Sequence, residues 1–169
     1  MHAKRPSPKP ERTAPPAPAS TADPEAQLAS FIDKFEPGIA SLMRACRAEL
    51  RNRFPTAFEV VYDNYNFFVI GYSPSGRPSD TVVSLAAAAN GVGLSFYRGA
   101  TVPDPHHLLL GDGKQNRFIR LPDAEILKSK PVLELIAAAI AQSRVPFAPT
   151  GAGGTIIKSV SSKQRPRRK

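Results

Sequence analysis

The chain has 169 residues, of which 41% are hydrophobic, which is enough for one domain with a buried core and too little for two. Its formal charge of +9 is unevenly spread: residues 1–23 hold four cations against Glu11 and Asp23, and residues 158–169 hold six cations and no acid, which leaves +1 for the middle. The near-neutral middle does not by itself mark a nucleic-acid binder, the single Cys46 excludes an intramolecular disulfide framework and fits a reducing compartment, and the lack of an 18-residue apolar run or a signal-peptide core leads to the expectation of a cytoplasmic protein with no membrane partner.

Residues 1–22 are rich in Pro, Ala, Ser and basic side chains without apolar periodicity, and are expected to form a disordered tail. A domain is expected over 23–144. Asp23-Pro24 has the form of an N-cap followed by proline at the first helical position, and Leu28, Phe31, Ile32 and Phe35 follow at helical spacing. Pro37-Gly38 interrupts the pattern. It resumes with Ile39, Leu42, Met43, Cys46 and Leu50 on one face of a second helix that ends near Phe54-Pro55.

From Glu59 the chain turns to β-branched and aromatic residues in short runs. Glu59–Asp63 and Tyr65–Tyr72 read as one or two strands, followed by a loop at 73–78. Thr81–Ala88 and Val92–Tyr97 flank Asn90-Gly91, a dipeptide suited to a type I′ hairpin. Arg117–Leu121 reads as a last main strand. Pro131 opens a closing helix with Val132, Leu135, Ile136, Ala139 and Ile140 on its apolar face. Segregated helices and strands predict an α+β, two-layer fold, an antiparallel sheet of about five strands with the N- and C-terminal helices on one face. Residues 145–169 read as a Gly/Pro loop, a short β-prone segment at Thr155–Val160 and a basic C-terminal tail.

Gly111-Asp112-Gly113-Lys114, followed by Arg117 and Arg120, is either a tight turn or an anion contact, since glycines admit close backbone approach and the cations would neutralise a phosphate. It lacks the spacing of a P-loop. Asp104, His106 and His107 are weak metal candidates, with no third ligand at a recognised spacing. Cys46 belongs to an apolar helix face, no Gly-x-Ser-x-Gly elbow occurs, and the carboxylates at Asp33, Glu36, Glu49, Glu59 and Asp63 show no paired spacing. No catalytic residue is therefore assigned. In Tyr65–Tyr72, alternation separates Tyr65, Phe67 and Val69 from Phe68, Ile70 and Tyr72, so both faces carry apolar bulk; an aromatic face here reads either as core packing beneath helices or as a platform for bases or another flat ligand. The tail cations Lys163, Arg165, Arg167, Arg168 and Lys169 read as solvated anion contacts, able to hold nucleic acid non-specifically.

The run Gly93-Leu94-Ser95-Phe96-Tyr97-Arg98-Gly99-Ala100, then Pro103-Asp104-Pro105, Leu108-Leu109, Gly111-Asp112-Gly113-Lys114 and Arg117-Phe118-Ile119-Arg120-Leu121, resembles the YdhG-like domain family over about Asp33 to Gln142. The resemblance implies a frataxin-like α+β domain. Because some relatives are described as bacterial iron chaperones, it also implies iron as a candidate cargo; no other cofactor is expected.

Together these features lead to the expectation of a non-enzymatic binding domain for a small anionic or polar ligand or a protein partner, with Arg98, Lys114, Arg117, Tyr62, Asp63 and Asn64 as contacts. The alternatives are an iron-binding chaperone and a nucleic-acid-associated protein acting through basic tails.

Overall fold

The structure, a computed structural model, describes residues 22–169; nearly all of the expected N-terminal tail lies outside the described residues. Helix α1 spans Pro24–Ile32 and begins as its sequence predicts, with Asp23 as N-cap accepting a hydrogen bond from the Ala26 amide at 3.3 Å and proline in the first turn. Helix α2, Pro37–Arg53, buries Ala40, Met43, Cys46 and Leu50. Helix α3, Lys130–Ala141, buries Val132, Leu135, Ile136 and Ala139, while Ile140, expected on the same face, is exposed. Each buried set recurs at three- and four-residue intervals, so one stripe of each helix faces the sheet.

The strands are β1 (Phe58–Asp63), β2 (Phe68–Ser73), β3 (Val83–Ala88), β4 (Gly91–Phe96), β5 (Arg117–Arg120) and β6 (Thr155–Val160). They form one sheet in the order β5-β4-β3-β2-β1-β6. The first five are antiparallel neighbours, whereas β6 pairs with β1 in parallel, with a register shift between Val61 and Tyr62. The protein is thus α+β with a mixed, open, six-stranded sheet, rather than a five-stranded antiparallel one. The sixth strand comes from the segment placed outside the domain in the sequence, so the folded unit runs beyond Arg144. The β3–β4 hairpin forms, but its turn residues are Ala89 and Asn90, one position earlier than expected. Neither has a positive φ, so the primed turn is not made, and Gly91 absorbs the chain reversal at φ +148°.

All three helices contribute to a single core on one face of the sheet, where Phe68, Ile70 and Tyr72 of β2 meet Leu85, Leu94 and Phe96. Cys46 is buried there, and burial first, then the nearby Asp123 and Glu49 carboxylates, push its thiol up to about 11. A thiol so placed is a packing residue rather than a nucleophile.

Strand alternation puts Glu59, Val61 and Asp63 of β1 on this same core face, so two carboxylates are buried at the two ends of one strand. Each holds an arginine. At the first end, Arg47 of α2 donates to both Glu59 oxygens at 3.0 and 2.6 Å and to Glu25 at 2.8 and 2.9 Å. The Tyr72 hydroxyl donates to Glu59 at 3.2 Å, and the Thr155 hydroxyl of β6 donates to Glu25 and, at 3.3 Å, to Glu59. At the second end, Arg167 Nη2 lies 2.9 Å from Asp63 and Lys34 Nζ lies 2.5 Å from it.

The second cluster corrects the expectation of a solvated tail. Arg167 is only 6% exposed; it also donates to the Asn66 and Asn64 carbonyls and lies over the Phe35 ring. Arg168 donates to the Asp33 and Lys34 carbonyls at 3.2 Å, and Gln164 donates to the Asp63 carbonyl at 3.0 Å. The Arg165 amide donates to the Tyr65 carbonyl, and its guanidinium sits 5.8 Å from the Tyr65 ring. Lys163 and Lys169 remain exposed. A buried carboxylate needs a charged or hydrogen-bonding partner, and the tail supplies it.

Candidate functional site on the open face of the sheet

All three α-helices pack on one face of the sheet; on the opposite face Thr81 covers Gly71 of β2, while over Val69, β3 and β4 no layer of described residues stands above the side chains. The pairing register sets its rows. Tyr62, Val69, Ala86, Gly93 and Arg120 lie in one row across the five strands, and Val60, Gly71, Ser84, Ser95 and Phe118 lie in the next. The two central strands thus offer only Gly, Ala and Ser on this face, while larger side chains stand at its sides.

The result is a groove of about 510 Å³ over β3 and β4, with Phe67 and Val69 on one flank and Phe118 and Arg120 on the other. Asn90 and Asn116 also line it. A volume of this size suits a small-molecule ligand. Phe67 immediately precedes the buried β2 core residues and is 51% exposed, so of the two faces separated by alternation in Tyr65–Tyr72 the one with Phe67 is open at this end. Arg120 stands 6.0 Å over the Phe118 ring, and the Ser95 hydroxyl donates to Asn116 Oδ1 at 2.7 Å. Among the described residues, Arg120 is the only charged one lining the groove. Beside the groove, partial burial and then the Tyr97 phenol push the Tyr62 phenol above its ordinary value, so Tyr62 stays a neutral donor at physiological pH.

The chemistry of the groove follows from this lining. Small side chains let a flat body lie close to the sheet, the phenylalanine rings supply apolar edges and faces, and one guanidinium offers a forked donor to a carboxylate or phosphate. Among the described residues of the lining, the Ser84 and Ser95 hydroxyls have no imidazole or carboxylate beside them to act as base.

The six contact residues expected from the sequence do not gather in one place. Arg117 opens β5 at the row that reaches Glu59 in β1, whereas Asp63 ends β1 at the opposite corner of the sheet. Four strand spacings and four residue rises put these corners on the order of 20 Å apart. Asp63 is fully buried and engaged by Arg167 and Lys34, and the Asn64 side chain accepts from Ser159 at 3.0 Å. Tyr62 alone of that trio flanks the groove. Arg117 donates to the carbonyls of Gly113 and, at 2.8 Å, Asn116, so the Gly111–Lys114 segment is a turn closed by Arg117, with Lys114 exposed on it. Arg98 faces a separate concavity of about 30 Å³ beside Asp80, Gln142 and Arg144, room for little more than a water molecule.

The metal candidates are similarly accounted for. Both Asp104 oxygens accept backbone amides, from Leu108 at 3.0 Å and Leu109 at 2.9 Å, in a turn where His107 has φ 53°. His106 Nε2 lies 3.1 Å from Glu134. Among the described residues no three of His, Cys, Asp and Glu are grouped as a metal site would need, and no helix is long and apolar enough to cross a membrane.

The groove was missed in the sequence because its floor consists of residues that announce nothing individually. Its signal was the alternation of small side chains in Ser84-x-Ala86-x-Ala88 and Gly91-x-Gly93-x-Ser95, opposite positions on paired strands. Family models, curated proteins and solved structures yield no match to this chain, so its function is argued from the groove itself.

Proposed function

We propose that this protein is a non-enzymatic binding domain whose ligand is a small anion with a flat, largely apolar body, seated in the groove on the open face of the sheet. The observation that carries this reading is the combination of a Gly/Ala/Ser floor, flanking Phe67 and Phe118, and Arg120 as the one charge among the described residues of the lining. The floor selects flatness, the rings select an apolar or aromatic body, and Arg120 selects the sign of charge. A frataxin-like, YdhG-like domain belongs to the same proposal, since helices confined to one face of an open sheet are what that resemblance implies. The iron-chaperone alternative rests on that resemblance alone. The nucleic-acid alternative loses part of its tail, because Arg167 and Arg168 are turned onto the domain.

Thermal unfolding in the presence of a panel of aryl carboxylates and nucleoside monophosphates tests the reading. At least one of them is expected to raise Tm, as any ligand selective for the native state does. Arg120→Ala and the groove-filling Ala86→Phe are expected to remove the rise, and Arg98→Ala to leave it intact. A panel with no stabilising member at millimolar concentration, or a rise that survives both groove substitutions, would refute the assignment.

A further inference from the structure

The Asp63 cluster has the composition of a peptide-recognition site. Its acceptors are the Asp63 carboxylate, the Asn64 and Asn66 carbonyls of the β1–β2 turn, and the Asp33 and Lys34 carbonyls at the elbow between α1 and α2. The Phe35 ring forms an apolar wall 5.6 Å from the Arg167 guanidinium carbon. These groups belong to elements with closing hydrogen bonds of their own: the turn is closed by the Asn64 amide donating to the Phe67 carbonyl, and the elbow by the Lys34 and Phe35 amides donating to Phe31 and Ile32.

What fills the pocket is a short run, Gln164-Arg165-Pro166-Arg167-Arg168, in which Gln164, Arg167 and Arg168 engage through side-chain hydrogen bonds and Arg165 through its amide and its guanidinium over Tyr65. Arg167 is the anchor, with the neighbouring side chains partly or fully exposed. The fit is incomplete, because the buried Arg167 Nε has no hydrogen-bond partner among the described residues. A buried donor left unpaired weakens the hold of the segment. An anchor side chain in a buried pocket with a polar rim is how short linear motifs are held.

We propose that the Asp63 pocket is a recognition site for an arginine-anchored basic peptide, filled in cis by the chain's own C-terminal segment and open to a partner peptide of the same chemistry that displaces it. The segment is tethered, so it competes at a high effective concentration. Its occupancy makes the intact chain a weak binder until the segment is released.

The test uses full-length protein and a fluorescently labelled peptide with the sequence of residues 161–169, followed by anisotropy. The Arg167→Ala chain, its pocket emptied, is expected to bind the peptide at least tenfold more tightly than the wild-type chain does. A peptide carrying the Arg167→Ala change is expected to bind at least tenfold more weakly than the unaltered one, and adding Asp63→Asn to the Arg167→Ala chain to abolish binding. Equal affinity for the two chains, or equal affinity for the two peptides, would overturn the proposal by reducing the contact to non-specific charge attraction. Should Arg167→Ala fail to fold, Arg167→Lys replaces it, since an ammonium keeps the charge but cannot span the Asp63, Asn64 and Asn66 acceptors together. The same comparisons then decide.

Discussion

Arg47→Ala is expected to lower the unfolding free energy by about 3 to 5 kcal/mol, the usual effect of removing one partner of a buried ion pair. Urea denaturation measures it as a lower midpoint at unchanged slope. The reason lies in what is left behind. The Glu59 side chain is 5% exposed and would keep only the hydroxyls of Tyr72 and Thr155, with Arg51 no nearer than 3.9 Å. An uncompensated carboxylate in the core costs far more than the pair contributes. The double variant Arg47→Met, Glu59→Leu should therefore be much closer to wild type than Arg47→Ala is, because an apolar pair of similar volume carries no desolvation penalty. A double variant no better than Arg47→Ala would show that packing at Arg47, and not the orphaned charge, sets the loss.

The same network gives an acid dependence. Partial burial raises the Glu25 pKa, but hydrogen bonds from Thr155 and Arg47 and the charges of Arg47 and Arg51 outweigh it, so the net shift is downward from the ordinary 4.5. A depressed folded pKa means that the carboxylate contributes stability above the unfolded value and loses it as pH falls through the folded value. Stability measured by urea titration should therefore decline below about pH 4.5. Glu25→Gln should flatten part of that decline; an unchanged profile in this variant would remove Glu25 from the acid response.

How far these features were legible in the sequence depended on whether their cause was local. The helices were readable because Asp23, Pro24 and Pro37 mark their starts and the apolar residues recur at helical spacing. Strands β2, β3 and β4 were readable from alternation and from the turn residues between them. Strand β6 joins β1 in parallel across more than 90 residues of chain, and no local pattern encodes such a pairing; Thr155–Val160 shows only that it is β-prone. The buried tail was hidden for a related reason. A run such as Lys163–Lys169 looks solvated, and the cue lay far away, in Glu59 and Asp63 placed two and four residues apart from Val61 and each other on the face that the core had to cover. A carboxylate at a core position of a strand calls for a cation, and in a chain with few buried basic residues the distant tail could have been considered. For the groove, alternation separated the two faces of β2, but only the tertiary arrangement decides that helices cover one of them and that no described residue covers the Gly/Ala/Ser floor on the other.

Gly153→Ala is expected to destabilise the protein by about 3 kcal/mol, within the range of overpacked or strained sites, and to loosen β6 ahead of the rest of the sheet. A Cβ at Gly153 would stand 1.6 Å from the Ala57 carbonyl oxygen, 2.2 Å from its carbon and 2.9 Å from the Phe58 nitrogen. These are backbone atoms at the start of β1, so no side-chain rotation relieves the overlap and the 150–154 segment must move away. That segment fixes the register of β6: the Gly154 carbonyl accepts from the Glu59 amide at 2.9 Å immediately before Thr155 pairs with Glu59. Displacing it also withdraws the Thr155 hydroxyl from Glu25 and Glu59, so strain in the backbone is added to a loss in the buried charge network. Gly154→Ala is the matched control, since a Cβ there meets nothing within 4 Å, and its effect should stay within about 0.5 kcal/mol. Hydrogen exchange reads the location of the damage: the Ile156 amide, which the parallel register turns toward β1, should lose protection in Gly153→Ala while the amides of β3 and β4 change only with global stability. If Gly153→Ala and Gly154→Ala prove equally stable, the close crossing of the two backbones does not hold β6 in place, and its attachment must come from the side chains of Thr155, Ile156 and Ile157 instead.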